Sequence, residues 1–417
     1  MLIKQKYSWQ HLSNSSRILR QIFRSQPISR SEIAEALGCP SSLVTSVTAS
    51  LIEQGIIQEL GKAEKTEDNM PGRRRLVLGI CPDARYSIGV EIGIRHFRFY
   101  ITNLSGHVLK EICYAPKEEQ IAHVNNTIAD GVSQLIRANI VPEHNIIGVG
   151  VALPGHLNLQ SGHMVSHSSL WQDFNIGKLE AALGMKVTAE NNVRSMAYEK
   201  YLFDSRNCPE DFALLHAGAG IFCAAFRSGI LSEGGYTSGE IGHTTIDIHG
   251  PRCSCGNYGC LEGYCSSITF VKKLNEAFGK KDELTFSDAV LLVRKKDPTA
   301  VKLYMEMCDY LSIGIINVIN SFNPRAIVIG DEMAHVNPTL MLERVISNVQ
   351  KRVVPQTMET TSIRLSSYKQ DSMVYGAAII AINDIFQNPA YYFDPEQDPQ
   401  GTDGTLHSHF RNVRFSL

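Results

Sequence analysis

Four cysteines fall within the sixteen residues "GPRCSCGNYGCLEGYC", Gly250 to Cys265, of a chain that holds ten in all. Cys253, Cys255 and Cys260, with an imidazole close by, offer three thiolates and one nitrogen. That set suits tetrahedral zinc. Two imidazoles compete for the fourth place: His243, ten positions before Cys253, and His249, four positions before it. Four protein ligands close the coordination sphere, so such a zinc is structural and has no open position for catalysis. Gly256 and Gly259 supply the tight turn this spacing demands. Cys265 is left over and reads as a packing residue on a helix face.

The other six cysteines (Cys39, Cys81, Cys113, Cys208, Cys223, Cys308) are scattered singly in apolar or turn contexts. They suggest core or surface thiols in a reducing compartment rather than a disulfide framework. The first thirty residues lack the apolar run of a signal peptide, and no later run reaches the length of a membrane span, so the expected location is cytoplasmic. The 417 residues, 43% hydrophobic and 20% charged, suffice for two or three globular domains. Net charge is only −2, but its distribution is uneven. Up to Ile80, eleven Lys and Arg face seven acids.

That basic excess coincides with a helical pattern. Ile18, Leu19, Ile22 and Phe23 recur at helical spacing, and "QPIS" closes the helix. A second helix starts at Ser29, with Glu32 completing a capping box, and stops at Gly38. A third is expected to be capped by Ser41. It should turn Leu43, Val44, Val47, Leu51 and Ile52 inward and Ser42, Thr45, Ser46, Thr48 and Ser50 outward. Two short helices joined by a glycine turn, the second with an uncharged polar face, make a helix-turn-helix. "IIQEL" and "RRLVLGI" add two strands and hence a wing, with Arg73, Arg74 and Arg75 placed to lie along phosphates or enter a narrow minor groove. A small helical interaction module is the alternative. The expected DNA contacts are Ser41, Ser42, Thr45, Ser46, Thr48 and the three arginines.

Beyond residue 80 the pattern changes. "YSIGVEIGIRHFRFYITNLSGHVLKEICYA" reads as three strands, followed by a helix from about Glu118 to Ala138 and the buried strand "IIGVGVAL". A similar order returns in "FALLHAGAGIFCAAFRSGIL", then helices, then "AIVIG". The chain is internally duplicated on this reading. Two α/β lobes with facing glycine turns suggest a hinged cleft for a small molecule.

"GVALPG" (Gly150 to Gly155), "AENN" (Ala189 to Asn192), "GEIGHT" (Gly239 to Thr244), "CSCGNYGCLE" (Cys253 to Glu262) and "NPRAIVIG" (Asn323 to Gly330) resemble, in order and spacing, the ROK family of sugar kinases and transcriptional repressors. The resemblance runs from about Tyr86 to Ile385. The N-terminal helix-turn-helix is similar to that of the repressor branch, which the kinases lack. It implies an actin-like, sugar-kinase-like α/β fold in two lobes, a structural zinc with His243 as the imidazole, and a sugar site. Gly155, Asn191 and Asn192 match one side of that site, and Glu240, His243 and Glu262 the other. Carboxylates and amides discriminate hydroxyl patterns by paired hydrogen bonds.

Four departures from the kinase pattern argue against phosphoryl transfer. The family's catalytic Asp is replaced by Asn192, and an amide accepts no proton. The first phosphate turn reads Glu91-Ile92-Gly93-Ile94-Arg95, with a branched side chain where backbone must approach phosphate. The second reads Gly218-Ala219-Gly220-Ile221-Phe222, and the glycines expected after "IVIG" are replaced by Asp331-Glu332.

The expected protein is therefore a non-enzymatic, sugar-responsive transcriptional regulator, a repressor released from a double-stranded DNA operator by a sugar or sugar phosphate, and a homodimer or homotetramer with no membrane span. A sugar kinase carrying a DNA-binding domain and a regulator controlled by a protein partner are the rivals. The expected division is a winged helix-turn-helix over residues 1–80, one lobe over 81–190 with a helix near 372–386 packing back on it, a second lobe with the zinc site over 191–371, and a partly disordered tail over 387–417.

Overall fold

Cap and stop signals build the first module as the sequence suggests. In the computed structural model, which describes residues 13–62, 75–158, 161–165, 169–232, 238–280, 283–366 and 372–387, helix α1 (Asn14–Ser25) is capped by Ser13, whose side chain accepts from the Ser16 N–H. It buries Ile18, Leu19, Ile22 and Phe23, and Arg20 beside them. Strand β1 (Ile28–Ser29) leads into α2 (Arg30–Leu37), where Ser29 and Glu32 form a reciprocal capping box. Gly38 ends α2 in the left-handed region with φ 59°, a conformation glycine adopts without penalty. Helix α3 (Ser41–Glu53) follows. Strands β2 (Ile57–Lys62) and β3 (Leu76–Ile80) pair antiparallel, and β1 joins β3 on its other side. The module is a winged helix-turn-helix.

The chain divides into two compact units, Met1–Ser195 with Val374–Leu417, and Met196–Met373. Each holds one five-stranded sheet. In the first unit, β4 (Tyr86–Ile92), β5 (Phe97–Asn103) and β6 (Val108–Tyr114) form an antiparallel meander. After α4 (Glu118–Ala122) and α5 (Val124–Arg137), β7 (Ile146–Leu153) lies parallel to β4. A separate two-stranded hairpin of β8 (His156–Asn158) and β9 (His163–Val165) and helix α6 (Ile176–Leu183) precede strand β10 (Val187–Asn191), which completes the sheet parallel to β7. The long helix expected from Glu118 is two helices, because His123 leaves helical geometry at φ −109°, ψ 53°.

Helix α7 (Asn192–Phe203) runs on into the second unit. There β11 (Phe212–Ala217), β12 (Ile221–Arg227) and β13 (Ile230–Leu231) again form an antiparallel meander. Short α8 (Glu262–Cys265), α9 (Ser267–Ala277), α10 (Phe286–Arg294) and the long α11 (Pro298–Phe322) intervene before β14 (Ala326–Gly330), parallel to β11. Helices α12 (Pro338–Gln350) and α13 (Thr357–Thr360) precede β15 (Ser362–Leu365), parallel to β14. The two sheets share one order, third-second-first-fourth-fifth. The duplication read from the sequence is thus a repeated topology.

The last described helix, α14 (Ser372–Gln387), returns to the first unit. It lies on the face of that unit's sheet at Gly89 and Gly150: a methyl group on Gly150 would strike the Ala377 carbonyl oxygen, and one on Gly89 the backbone of Ala378. Glycine is required there because helix backbone rests directly on strand backbone. Further along α14, Phe386 meets Phe23 of α1 edge-on, with ring centroids 5.1 Å apart. Beside it the Arg20 guanidinium donates to Asn383 Oδ1 at 3.4 Å, buried. One helix therefore touches both the lobe sheet and the first helix of the winged helix-turn-helix. Among the described residues, no helix is long and apolar enough to cross a membrane.

Candidate DNA, metal and sugar sites

Ser42, Thr45, Ser46 and Ser50 are exposed along α3, as expected of a face that enters a groove. Thr45 also bonds back to the Ser41 carbonyl at 2.9 Å. Two expectations for this helix need correction. Ser41 is the first helical residue rather than the cap, which is Pro40 and makes no side-chain cap bond. Thr48 does not face outward: it is 0% exposed, because its hydroxyl donates to the Val44 carbonyl at 2.8 Å and accepts from Arg30 Nε at 2.9 Å. A threonine can bury its methyl group once the helix backbone satisfies its hydroxyl. Arg75 is exposed, while Arg73 and Arg74 lie outside the described residues. If this face enters a groove, turning Ser46 into glutamate sets a negative charge against phosphates, and affinity for DNA should fall by about tenfold or more. Fluorescence anisotropy on an operator selected by the unmodified protein measures it.

The cysteine loop brings four of its expected ligands together. Ligand atoms of His243, Cys253, Cys255 and Cys260 all lie within 4.8 Å of one another. Cys255 and Cys260 sulfurs are 3.7 Å apart, and Cys253 Sγ is 3.6 Å from His243 Nδ1. A tetrahedron with metal–sulfur bonds of about 2.3 Å and a metal–nitrogen bond of about 2.05 Å has edges of about 3.8 and 3.6 Å, which the Cys255–Cys260 and Cys253–His243 separations match. The loop is shaped for this. Gly256 and Gly259 have φ 93° and 66°, Cys253 N–H donates to Asn257 O at 2.7 Å, and Leu261 N–H to Thr244 O at 3.0 Å. Burial pushes the Cys260 thiol up to about 12, whereas a backbone hydrogen bond from Asn257 holds Cys255 below the ordinary thiol range. Cys265 turns away, its thiol donating to Leu261 O at 3.4 Å.

The sugar candidates form two groups. In the second unit, Glu240 follows the left-handed Gly239 and its Oε2 stands 3.8 Å from His243 Nε2. The imidazole thus offers Nδ1 to the sulfur cluster and Nε2 to the carboxylate side, which links metal ligand and candidate ligand site through one ring. Glu262, at the start of α8, accepts the Ile221 N–H at 3.1 Å through Oε2. In the first unit, Asn191 Nδ2 donates to Gly155 O at 3.1 Å, and its Oδ1 takes the N–H groups of Val193 and Arg194 at 2.9 and 3.2 Å. Asn192 Oδ1 also accepts from Val193 N, at 2.9 Å. Asn191 therefore caps α7, and Asn192 is its first residue. Glu190 Oε1 accepts from Asn191 N at 2.8 Å and pairs with Arg194 Nε at 2.9 Å, fixing the strand-to-helix junction.

Sequence reasoning missed the Arg20–Asn383 and Phe23–Phe386 contacts. The local signal was a charged residue inside the buried stripe of α1, but its partner lies 363 positions away. It also missed His216, an imidazole in a buried strand, whose Nε2 lies 3.1 Å from Asp331 Oδ2.

Comparison with known proteins places these features. Residues 87–384 match the ROK family. A xylose repressor of Bacillus spizizenii is 27% identical over 372 residues, covering 88% of this chain and 94% of its own. The DNA-binding transcriptional dual regulator NagC of Escherichia coli is 28% identical over 347 residues, covering 79% of this chain and 82% of its own. Among solved structures, a ROK family transcriptional regulator described as a homologue of the E. coli MLC protein superimposes with a TM-score of 0.73 at 22% identity, over 91% of this chain and 98% of its own. That likeness establishes the fold.

Proposed function

The chain belongs to the ROK family, and from that premise we propose that it is a transcriptional repressor released from a double-stranded DNA operator by a sugar or sugar phosphate. The observation that carries this reading is a winged helix-turn-helix preceding a ROK fold whose catalytic-base position holds Asn192, with its Oδ1 on the Val193 N–H. An amide so placed takes no proton from a sugar hydroxyl, so binding outlives phosphorylation. The similar xylose repressor and NagC are both named as regulators.

In this reading residues 1–80 read DNA, 81–190 with the helix near 372–386 form one lobe, and 191–371 form the other with the metal site. Ser42, Thr45 and Ser46 face bases, and Arg75, with Arg73 and Arg74, follows phosphates. Gly155, Asn191, Asn192, Glu240, His243 and Glu262 bind the sugar or hold the groups that do. His243, Cys253, Cys255 and Cys260 hold a structural zinc that fixes the loop between Glu240 and Glu262. Homodimers or homotetramers present paired reading heads to paired half-sites. Sugar binding shifts the population of lobe arrangements, and α14 passes the shift to α1.

The deciding experiment is a thermal-shift screen with xylose, N-acetylglucosamine, glucose and their phosphates, followed by operator binding in the presence of the hit. One sugar should stabilise the protein at millimolar concentration and release the DNA. Turnover of ATP with any of these sugars, lost on changing Asn192, would establish the kinase instead. Absence of any stabilisation would favour control by a protein partner.

Zinc binding must drive the proton from a Cys260 thiol that burial holds up at about 12, so bound zinc competes with protons. Apparent zinc affinity should fall by about tenfold per pH unit for each proton displaced. Competition with a chromophoric chelator between pH 8 and 6 measures the slope, and a flat profile contradicts thiolate ligation.

A further inference from the structure

The turn between β11 and β12, Gly218-Ala219-Gly220, is a small-residue loop of the kind that lets backbone N–H groups approach an anion. Here the chain's own carboxylates take the space in front of it. A methyl group on Gly218 would collide with Asp331 Oδ2. That oxygen lies 3.1 Å from His216 Nε2. His216 is only 8% exposed, and its Nδ1 has no hydrogen-bond partner among the described residues. Glu332, the next residue, accepts from the Ser267 hydroxyl, and Ser267 N–H donates to Gly218 O at 2.8 Å. The donor just past the turn, Ile221 N–H, is taken by Glu262.

The backbone shows that Asp331 is held where it is. Its φ of 76° and ψ of −172° belong to a region that is essentially reserved for glycine and persists elsewhere only when the surroundings impose it. The first unit also pairs a histidine with a carboxylate near its first hairpin, with the roles of strand and loop exchanged. At the end of β4, beside the corresponding turn, Glu91 is 7% exposed and its Oε1 lies 3.2 Å from His96 Nε2. Each sheet thus sets a histidine against a carboxylate at the mouth of its first hairpin.

We propose that Asp331, clamped by His216, is a built-in surrogate for a phosphoanion: it occupies the Gly218–Gly220 turn and makes the second unit refuse nucleotides and other polyphosphates. A carboxylate already seated there excludes a phosphate by volume and repels it by charge. The inference does not rest on the sugar reading, since it concerns phosphoanions and is tested without sugar.

The test is calorimetric titration of the full chain with pyrophosphate and with AMP-PNP. The unmodified protein should bind neither at millimolar concentration. Asp331→Gly, which suits the observed backbone, should bind pyrophosphate at least about tenfold more tightly. Asp331→Asn keeps the volume but sheds the charge, so its gain should be clearly smaller than that of Asp331→Gly. His216→Ala frees the clamp with Asp331 in place and should gain a smaller affinity, giving a second reading should the glycine variant not fold. Pyrophosphate bound by the unmodified protein, no gain in either Asp331→Gly or His216→Ala, or an equal gain in Asp331→Asn would overturn the proposal.

Discussion

Changing Cys255 to serine should abolish stoichiometric zinc and with it the response to sugar, while the protein remains able to bind its operator. Cys255 is exposed, unlike the buried Cys253 and Cys260, so this substitution removes a ligand without opening a cavity. A closed structural zinc contributes apparent binding energies of about 10–16 kcal/mol in small finger peptides at neutral pH. Loss of one thiolate therefore outweighs the hydrogen bonds that otherwise shape the loop, each worth about 1 kcal/mol net. The loop between Glu240 and Glu262 would lose the tie that fixes both carboxylates, and His243 would lose the partner that orients its ring. Elemental analysis reads the metal, and anisotropy with and without the effector reads the response. Cys265→Ser is the control and should keep its zinc, because that thiol donates to Leu261 O and points away from the cluster. Full zinc content and a normal sugar response in Cys255→Ser would contradict the assignment.

The second large effect is expected at the contact between α14 and α1. Phe386→Ala removes the ring that meets Phe23, a fully packed pair with both side chains buried. Truncating a buried phenylalanine costs about 3–5 kcal/mol. Coupling between two ligand sites is generally about 1–3 kcal/mol, so the docking energy lost exceeds any signal of that size carried through the contact. The variant should still bind sugar, by thermal shift, but sugar at saturating concentration should no longer release it from DNA. Asn383→Ala, which removes only the acceptor of Arg20, should weaken release without abolishing it. Normal release by the phenylalanine variant would show that the signal travels elsewhere.

These contacts mark the limit of what the sequence made legible. The reading module was clear because its signals are local: a Ser29–Glu32 capping box, a Gly38 stop and a period of helical length all act within a few residues. The two sheets were legible for the same reason, and their common strand order follows from the repeated pattern. The cluster able to hold a metal was legible because three of its four residues lie within eight positions, Cys253 to Cys260. Thr48 was misplaced because a helical period assigns faces by polarity, whereas its hydroxyl is satisfied inside by Val44 and Arg30. Arg20 and His216 were missed because each partner, Asn383 or Asp331, is brought near only by tertiary folding. Asn191 and Asn192 were read for what they offer a ligand, and the structure shows how much of each is committed to holding the start of α7.

Helix α14 also imposes an order on biosynthesis. The sheet of the first unit is complete by Asn191, yet the helix that lies on Gly89 and Gly150 is translated only after the whole of the second unit. Until the ribosome has passed Phe386, Gly89 and Gly150 have no helix backbone resting on them, and Phe23 lacks its aromatic partner. A nascent or prematurely terminated chain can therefore form the winged module, whose signals are local, without the helix that docks on α1. Placing the last strut of the first unit after the second makes synthesis through α14 a condition for completing the first unit.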